Sequence, residues 1–273
     1  MTRKHLHIGV FIPSPSAAQL LDLACVDIFA MMSHQYLHNL PMLPSHLTSL
    51  APDITISYIS ATTTTTTPSP QKDNTTPAPA PLKLTANLTI QPTHHFTDPA
   101  VAPGNLDIVL VPGPDPRDTW PAAPLAWLRQ QSDAAGTDIL SVCTGLFICG
   151  AAGLLDGGRR ACGPRGLQAE LRGRYPRCEL VGGALRWVRD GNLWSSGGVT
   201  NGNDLVAAYC RADARFPGPV VGVVLATAEV GDRPQRYGRG GQAGFMLGMV
   251  WQLVRAWFMG GGKGKGKGKE RAD

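Results

Sequence analysis

Along this chain, short unbroken apolar runs take turns with longer stretches in which apolar residues recur every three or four positions. The runs at 7–13, 54–59, 106–111 and 138–142 read as buried strands, because they are short and bounded by turn residues. The stretch 19–34 has helical spacing, with Leu20, Leu21, Cys25, Ile28, Phe29 and Met32 recurring on one face. Further helices are predicted over 124–134, 144–155, 164–174, 204–212, 219–229 and 245–258. The stretch 84–90 reads as a short strand or hairpin arm. Segments 179–181, 184–188 and 193–196 read as short strands, with Asp190-Gly191 as a hairpin turn. Strands that alternate with helices predict an α/β sandwich of three layers, with a mainly parallel sheet and helices on both faces. Sites in such sheets lie at the C-terminal strand ends. The loops after Val111, Val142 and Ser196 are therefore expected to meet.

Two stretches break this pattern. Residues 62–81 begin with six consecutive threonines and continue in Pro, Ser, Thr and Ala. They are too poor in apolar surface to order themselves and read as a flexible insertion. From residue 260 the chain alternates Gly and Lys and reads as a disordered basic tail. One domain over 1–259, followed by the tail, is the expected organisation. The net charge of +5 owes part of its value to that tail. No aromatic residues interleave with its lysines, so a nucleic acid partner is not expected. No signal peptide precedes the first strand, and no apolar run is long enough to span a membrane. The six cysteines show no CxxC pair and no zinc spacing. The expectation is a cytoplasmic chain with free thiols, no metal, no organic cofactor and no membrane partner.

The chemistry centres on Cys143. It sits where the strand 138–142 turns into the helix 144–155, with Gly145 leaving room for a tight turn. That is a nucleophile elbow with cysteine in place of serine. Free backbone N–H groups and the positive end of the helix dipole favour a thiolate there. Cys149 lies inside the apolar helix and reads as core. All seven histidines precede Cys143, which excludes enzymes with the base histidine downstream of the nucleophile. His94-His95 reads as a surface pair. An acidic partner is the other option. Asp22 interrupts an otherwise apolar helix face, where a carboxyl is costly unless hydrogen-bonded or functional. It either shares or relays a proton with Cys143, or is an exposed first-turn carboxylate. Asp27 reads as structural.

Three motifs in order resemble one family. They are Ser141-Val-Cys-Thr-Gly-Leu-Phe147, then Ala152-Gly-Leu-Leu-Asp-Gly-Gly-Arg-Arg-Ala161, then Asp190-Gly-Asn-Leu-Trp-Ser-Ser-Gly-Gly-Val-Thr200. Together with the early Gln19-Leu-Leu-Asp-Leu-Ala-Cys25 they resemble the ThiJ/PfpI superfamily, also called the DJ-one superfamily, over roughly 8–212. The resemblance implies a flavodoxin-like fold close to class I glutamine amidotransferase domains, and often a homodimer. It implies a catalytic cysteine at Cys143 and a contacting acid at Asp22. Aspartate rather than glutamate at that place looks like the isocyanide hydratase branch, where thiolate attack on a small electrophile and water addition give an N-formamide. The implied oxyanion pocket falls at Gly113, Pro114, Asp115 and Thr144.

Three positions depart from the family. Cys162-Gly163-Pro164 stands where a histidine partner often follows. Pro114 stands where a glycine N–H serves the oxyanion, and proline has none. Cys25 replaces the usual glycine of the first helix. These departures motivate an alternative from another class: a non-catalytic binding, redox-sensing or chaperone-like protein on the same fold.

Overall fold

The computed structural model describes residues 3–13, 16–63, 78–238 and 240–261. Most of the Thr/Pro-rich run (64–77) and the Gly/Lys run from 262 lie outside the described residues. The chain opens with β1 (His5–Ile12). Its Leu6, Ile8, Val10 and Ile12 are buried toward one layer and Phe11 toward the other, as a strand covered on both faces requires.

The helix predicted over 19–34 is instead three short pieces, α1 (Leu20–Leu23), α2 (Val26–Met31) and α3 (His34–Leu37). The first break has a local cause. The Cys25 thiol donates to the Asp22 carbonyl oxygen at 3.2 Å, and the next backbone bonds tighten to three-residue spacing, Asp27 to Ala24 and Ile28 to Cys25. The third piece restarts where the Ser33 hydroxyl accepts the Tyr36 N–H at 3.1 Å.

After α4 (Ser45–Thr48) comes β2 (Asp53–Ser60). The predicted 84–90 arm is a hairpin of β3 (Leu82–Lys83) and β4 (Thr89–Ile90). The two-residue β5 (His94–His95) pairs with the end of β2. Then follow β6 (Ile108–Val111), α5 (Ala122–Asp133), β7 (Asp138–Val142) and α6 (Gly145–Ala151). Next are β8 (Arg160–Ala161), α7 (Gln168–Arg174), β9 (Glu179–Leu180), β10 (Trp187–Asp190) and β11 (Leu193–Ser196). The chain closes with α8 (Asn201–Ala212), α9 (Gly218–Ala228) and α10 (Gly241–Gly261).

Seven strands form one sheet in the order β10-β11-β7-β6-β1-β2-β5, and every neighbouring pair is parallel except β10 with β11. The run β2-β1-β6-β7-β11 has the flavodoxin-like order, whose switch point lies between β1 and β6. Helices α2, α8 and α9 cover one face through Phe29, Tyr209 and Val224. Helices α5 and α6 cover the other through Trp127, Leu128 and Phe147. At the N-terminal strand ends Arg215 pairs with Asp138 (2.5 Å) and Asp213 (2.6 Å), tying the start of β7 to the loop after α8. The C-terminal strand ends are left for chemistry.

Helix α6 stops earlier than the sequence suggested. Gly153 takes the left-handed region (φ +76), its N–H bonds to Gly150, and the Leu154 N–H bonds back to Cys149. This Schellman arrangement ends the helix before Asp156-Gly157-Gly158 is reached. Helix α10 leaves Leu247, Trp251, Leu253, Trp257 and Phe258 exposed. Among the described residues no helix is long and apolar enough to cross a membrane.

Candidate active site

Three strand ends and the first helix meet around Cys143. The residue sits directly after β7 with φ +57, a left-handed backbone that a side-chain-bearing residue adopts only under constraint, at a cost of about 1–3 kcal/mol. Gly145 makes the elbow possible, since a Cβ there would lie 2.2 Å from the Val111 carbonyl oxygen. The elbow thus presses α6 against the end of β6. The Thr144 hydroxyl donates to the Pro114 carbonyl at 2.7 Å and fixes the turn that follows β6.

Asp22 is fully buried. The Gly113 N–H donates to its Oδ2 at 2.9 Å. A Cβ on Gly113 would lie 2.4 Å from both that oxygen and the Thr144 hydroxyl, so only glycine fits between acid and elbow. Cys143 interacts with the same carboxyl. Oδ1 is left buried without a partner among the described residues. Burial raises the carboxyl to about 7, against the smaller opposing pull of the Gly113 N–H and the thiol.

The elbow does not produce a thiolate unaided, which corrects the expectation drawn from the helix N-terminus. Cys143 is 9% exposed. Burial first, and the Asp22 charge second, push its thiol up to about 12. The Thr144 and Val199 N–H groups and the Thr144 hydroxyl pull the other way and lose. Both members of the pair therefore titrate upward, with burial the largest cause at each and the Asp22 charge adding to it at Cys143. Their protons belong to the pair rather than to either residue.

The other sequence candidates divide. Gly113, Thr144, Asp22 and Cys143 are brought together. Pro114 is buried at the turn and offers only its carbonyl, which Thr144 occupies. Asp115 is turned away: its carboxylate is held by Arg117 at 2.6 Å and stays well below the usual range, at about 2, while its N–H meets the Ser16 hydroxyl. His94 and His95 bond the Thr93 and Thr97 hydroxyls at the sheet edge, not the elbow. Cys25 is fully buried, and a Cβ on Gly202 would lie 3.3 Å from its sulfur. That Cβ would also lie 2.9 Å from the Val142 side chain, so Gly202 makes room for both.

Sequence reasoning missed the Val199 N–H as a donor to the Cys143 sulfur. It also missed a cleft of about 530 Å³ lined by Val199 together with Arg165, Arg186, Arg233, Tyr237 and Phe245 among others. The Gly-rich loop 197–202 was the available signal for the first. No group of three or more His, Cys, Asp or Glu among the described residues is placed to hold a metal.

No family model matches the chain. It is 35% identical over 136 residues to the isonitrile hydratase of Pseudomonas putida, a match covering 46% of this chain and 52% of that enzyme. The match thus spans about half the length of that curated relative. A ThiJ/PfpI family protein from Pseudomonas syringae superposes with a TM-score of 0.60 at 19% identity, over 93% of this chain and 88% of that one. The chain therefore has the fold of ThiJ/PfpI and DJ-1 proteins. The DJ-1 protein of Schizosaccharomyces pombe shares the ThiJ/PfpI fold with this chain at a TM-score of 0.55 and 12% identity, over 84% of this chain and 100% of that one. An AraC family transcriptional regulator from Pseudomonas putida does so at 0.56 and 15% identity, over 82% and 99%. The ThiJ/PfpI fold therefore spans differently named proteins, and activity has to be argued from the site.

Proposed function

We propose that this chain is a ThiJ/PfpI-type, cysteine-dependent enzyme that adds water to a small electrophile, in the manner of an isocyanide hydratase. Cys143 is the nucleophile and Asp22 the proton carrier. The reading rests on one observation above all: a fully buried carboxyl, raised to about 7, with one oxygen pinned by Gly113 and the other unpartnered beside a strained thiol. A carboxyl poised near neutrality beside a nucleophile suits general acid–base work.

Attack begins when the thiol proton passes to Asp22. The Cys143 sulfur then bonds to the electrophilic carbon, and Asp22 returns that proton to the substrate. Water adds to the same carbon and one of its protons goes to the substrate nitrogen; the carbon–sulfur bond then breaks, and the other proton reaches the sulfur by way of Asp22. For an isocyanide the sum is substrate plus water giving an N-formamide. The Thr144 and Val199 N–H groups face the sulfur and stabilise it as it departs. With no N–H at Pro114, and those of Gly113 and Asp115 engaged, the site favours substrates that do not develop a full oxyanion. Isocyanides meet that condition at the first addition.

The test is hydration of an aryl isocyanide, followed as N-formamide release by the full chain. Turnover that disappears in Cys143→Ala is expected. Equal turnover in Cys143→Ala and wild type overturns the reading.

A further inference from the structure

The cleft lined by Val199 has a composition that the chemistry above does not use. Arg165 and Arg186 stand over the same ring, with their guanidinium carbons 4.1 and 4.4 Å from the Tyr237 centroid. Arg165 also lies 4.4 Å from the Phe245 centroid. Neither makes an ion pair among the described residues, whereas the third arginine, Arg233, is neutralised by Asp204 at 2.5 Å. The Nε of Arg186 is buried and has no hydrogen-bond partner among the described residues. None of the described residues lining the cleft is acidic. The loop Gly198 to Thr200 and the first residue of α8, Asn201, form another wall and add the positive end of a twelve-residue helix.

Two cations on one ring repel each other, and a buried guanidinium N–H without an acceptor is costly. A counter-charge seated beside the two guanidinium groups relieves the repulsion. The planar guanidinium fork matches a carboxylate in size and geometry. The tyrosine ring already holds both forks in place, because Asn201 anchors its hydroxyl at 2.6 Å. We infer that this cleft binds a carboxylate, and that the electrophile handled at Cys143 carries one.

Val199 connects the two places. Its residue lines the cleft, and its N–H reaches the Cys143 sulfur. Val199 is thus the residue through which an acid seated on Arg165 and Arg186 would neighbour the elbow. The substrate-class half of the inference rests on the proposed role of Cys143. The cleft itself does not.

Two measurements separate these parts. The first is calorimetric titration of the full chain with oxalate, which involves no thiol chemistry. Saturable one-to-one binding is expected, weakened at least tenfold in Arg186→Gln and in Arg165→Gln. Absent binding, or equal binding in wild type and both variants, overturns the cleft assignment. The second is the alkylation rate of Cys143, read by peptide mass spectrometry, with iodoacetate against the neutral iodoacetamide. In each case the Cys143 sulfur–carbon bond forms and iodide leaves. The wild type is expected to favour iodoacetate, with the preference removed by oxalate and lowered about tenfold in Arg186→Gln while the iodoacetamide rate holds. Oxalate binding without an iodoacetate preference overturns the link from cleft to Cys143. A Cys143 inert to both reagents overturns the proposed nucleophile and, with it, the substrate class, while the titration still decides the cleft. If Arg186→Gln does not fold, oxalate competition in the wild type decides the link. Slower alkylation by iodoacetate but not by iodoacetamide supports it, and an unchanged iodoacetate rate overturns it.

Discussion

The elbow and the arginine cleft share Val199, yet they are built in opposite ways. Around Cys143 every atom is constrained: a left-handed backbone, a carboxyl with no room beside it, and two glycines whose Cβ atoms would overlap their neighbours. The cleft is open and adjustable. Gly198, on its wall, has no atom within 4 Å of an added Cβ. Two of its three charges, those of Arg165 and Arg186, rest on a ring rather than on a carboxylate. The difference teaches what each part can do. A rigid, dry pair can shift proton affinities and hold a nucleophile in place. An open cationic cleft can only choose which molecules arrive.

The contrast can be broken at several points. The largest expected effect is on turnover. Cys143→Ala removes the nucleophile and should lower isocyanide hydration by roughly a thousandfold or more, measured as formamide release. Next is the pH dependence of stability. The Asp22 carboxyl titrates near 7 in the folded chain and near 3.8 when free. Its stabilising contribution is complete below about pH 4 and is lost as pH rises toward 7. The slope is about 1.4 kcal/mol per pH unit, giving a total of the order of 4 kcal/mol. Urea melts at pH 4.5 and 7.5 should show Asp22→Asn more stable relative to wild type at the higher pH. An unchanged difference between the two pH values would mean that the carboxyl is ionised in the folded chain.

A smaller effect compares glycines of the two regions. Gly113→Ala should cost about 2–3 kcal/mol and lower turnover, because its Cβ meets both Asp22 and Thr144 at 2.4 Å. Gly198→Ala should fall within about 0.5 kcal/mol of wild type. Equal melting temperatures for the two variants would show that the elbow is as compliant as the cleft. The smallest effect concerns Cys25. Its thiol fills a space facing Gly202, so Cys25→Ala should cost only about 1 kcal/mol in a urea melt.

The two regions also differed in how readable they were. The elbow lies in one continuous stretch, where an apolar run, a cysteine and a glycine mark strand, nucleophile and turn. The bounds of β7 follow directly from that pattern. Asp22 stood out because a carboxyl interrupts an apolar helix face. What the sequence could not show was the balance of burial against the helix N-terminus at Cys143, since solvent exclusion depends on residues distant in the chain. The Val199 donor is a backbone group and carries no side-chain signature. The cleft draws on Arg165, Arg186, Tyr237 and Phe245 from four separate segments, none of which is unusual locally. The break in the first helix and the early end of α6 are capping effects. They depend on where a thiol points at Cys25 and on a left-handed glycine at Gly153.

The central claim is that Asp22 and Cys143 titrate as one unit. The most direct measurement is the pH dependence of Cys143 alkylation by iodoacetamide, in wild type and in Asp22→Asn. A pair that shares its protons predicts a wild-type rate that rises through an apparent value near 7, where the first proton leaves. In Asp22→Asn that step should vanish, and the rate should rise only above about pH 9, as expected for a buried thiol without a carboxyl beside it. Identical profiles in the two proteins would contradict the coupling and leave the elbow as architecture without a proton carrier.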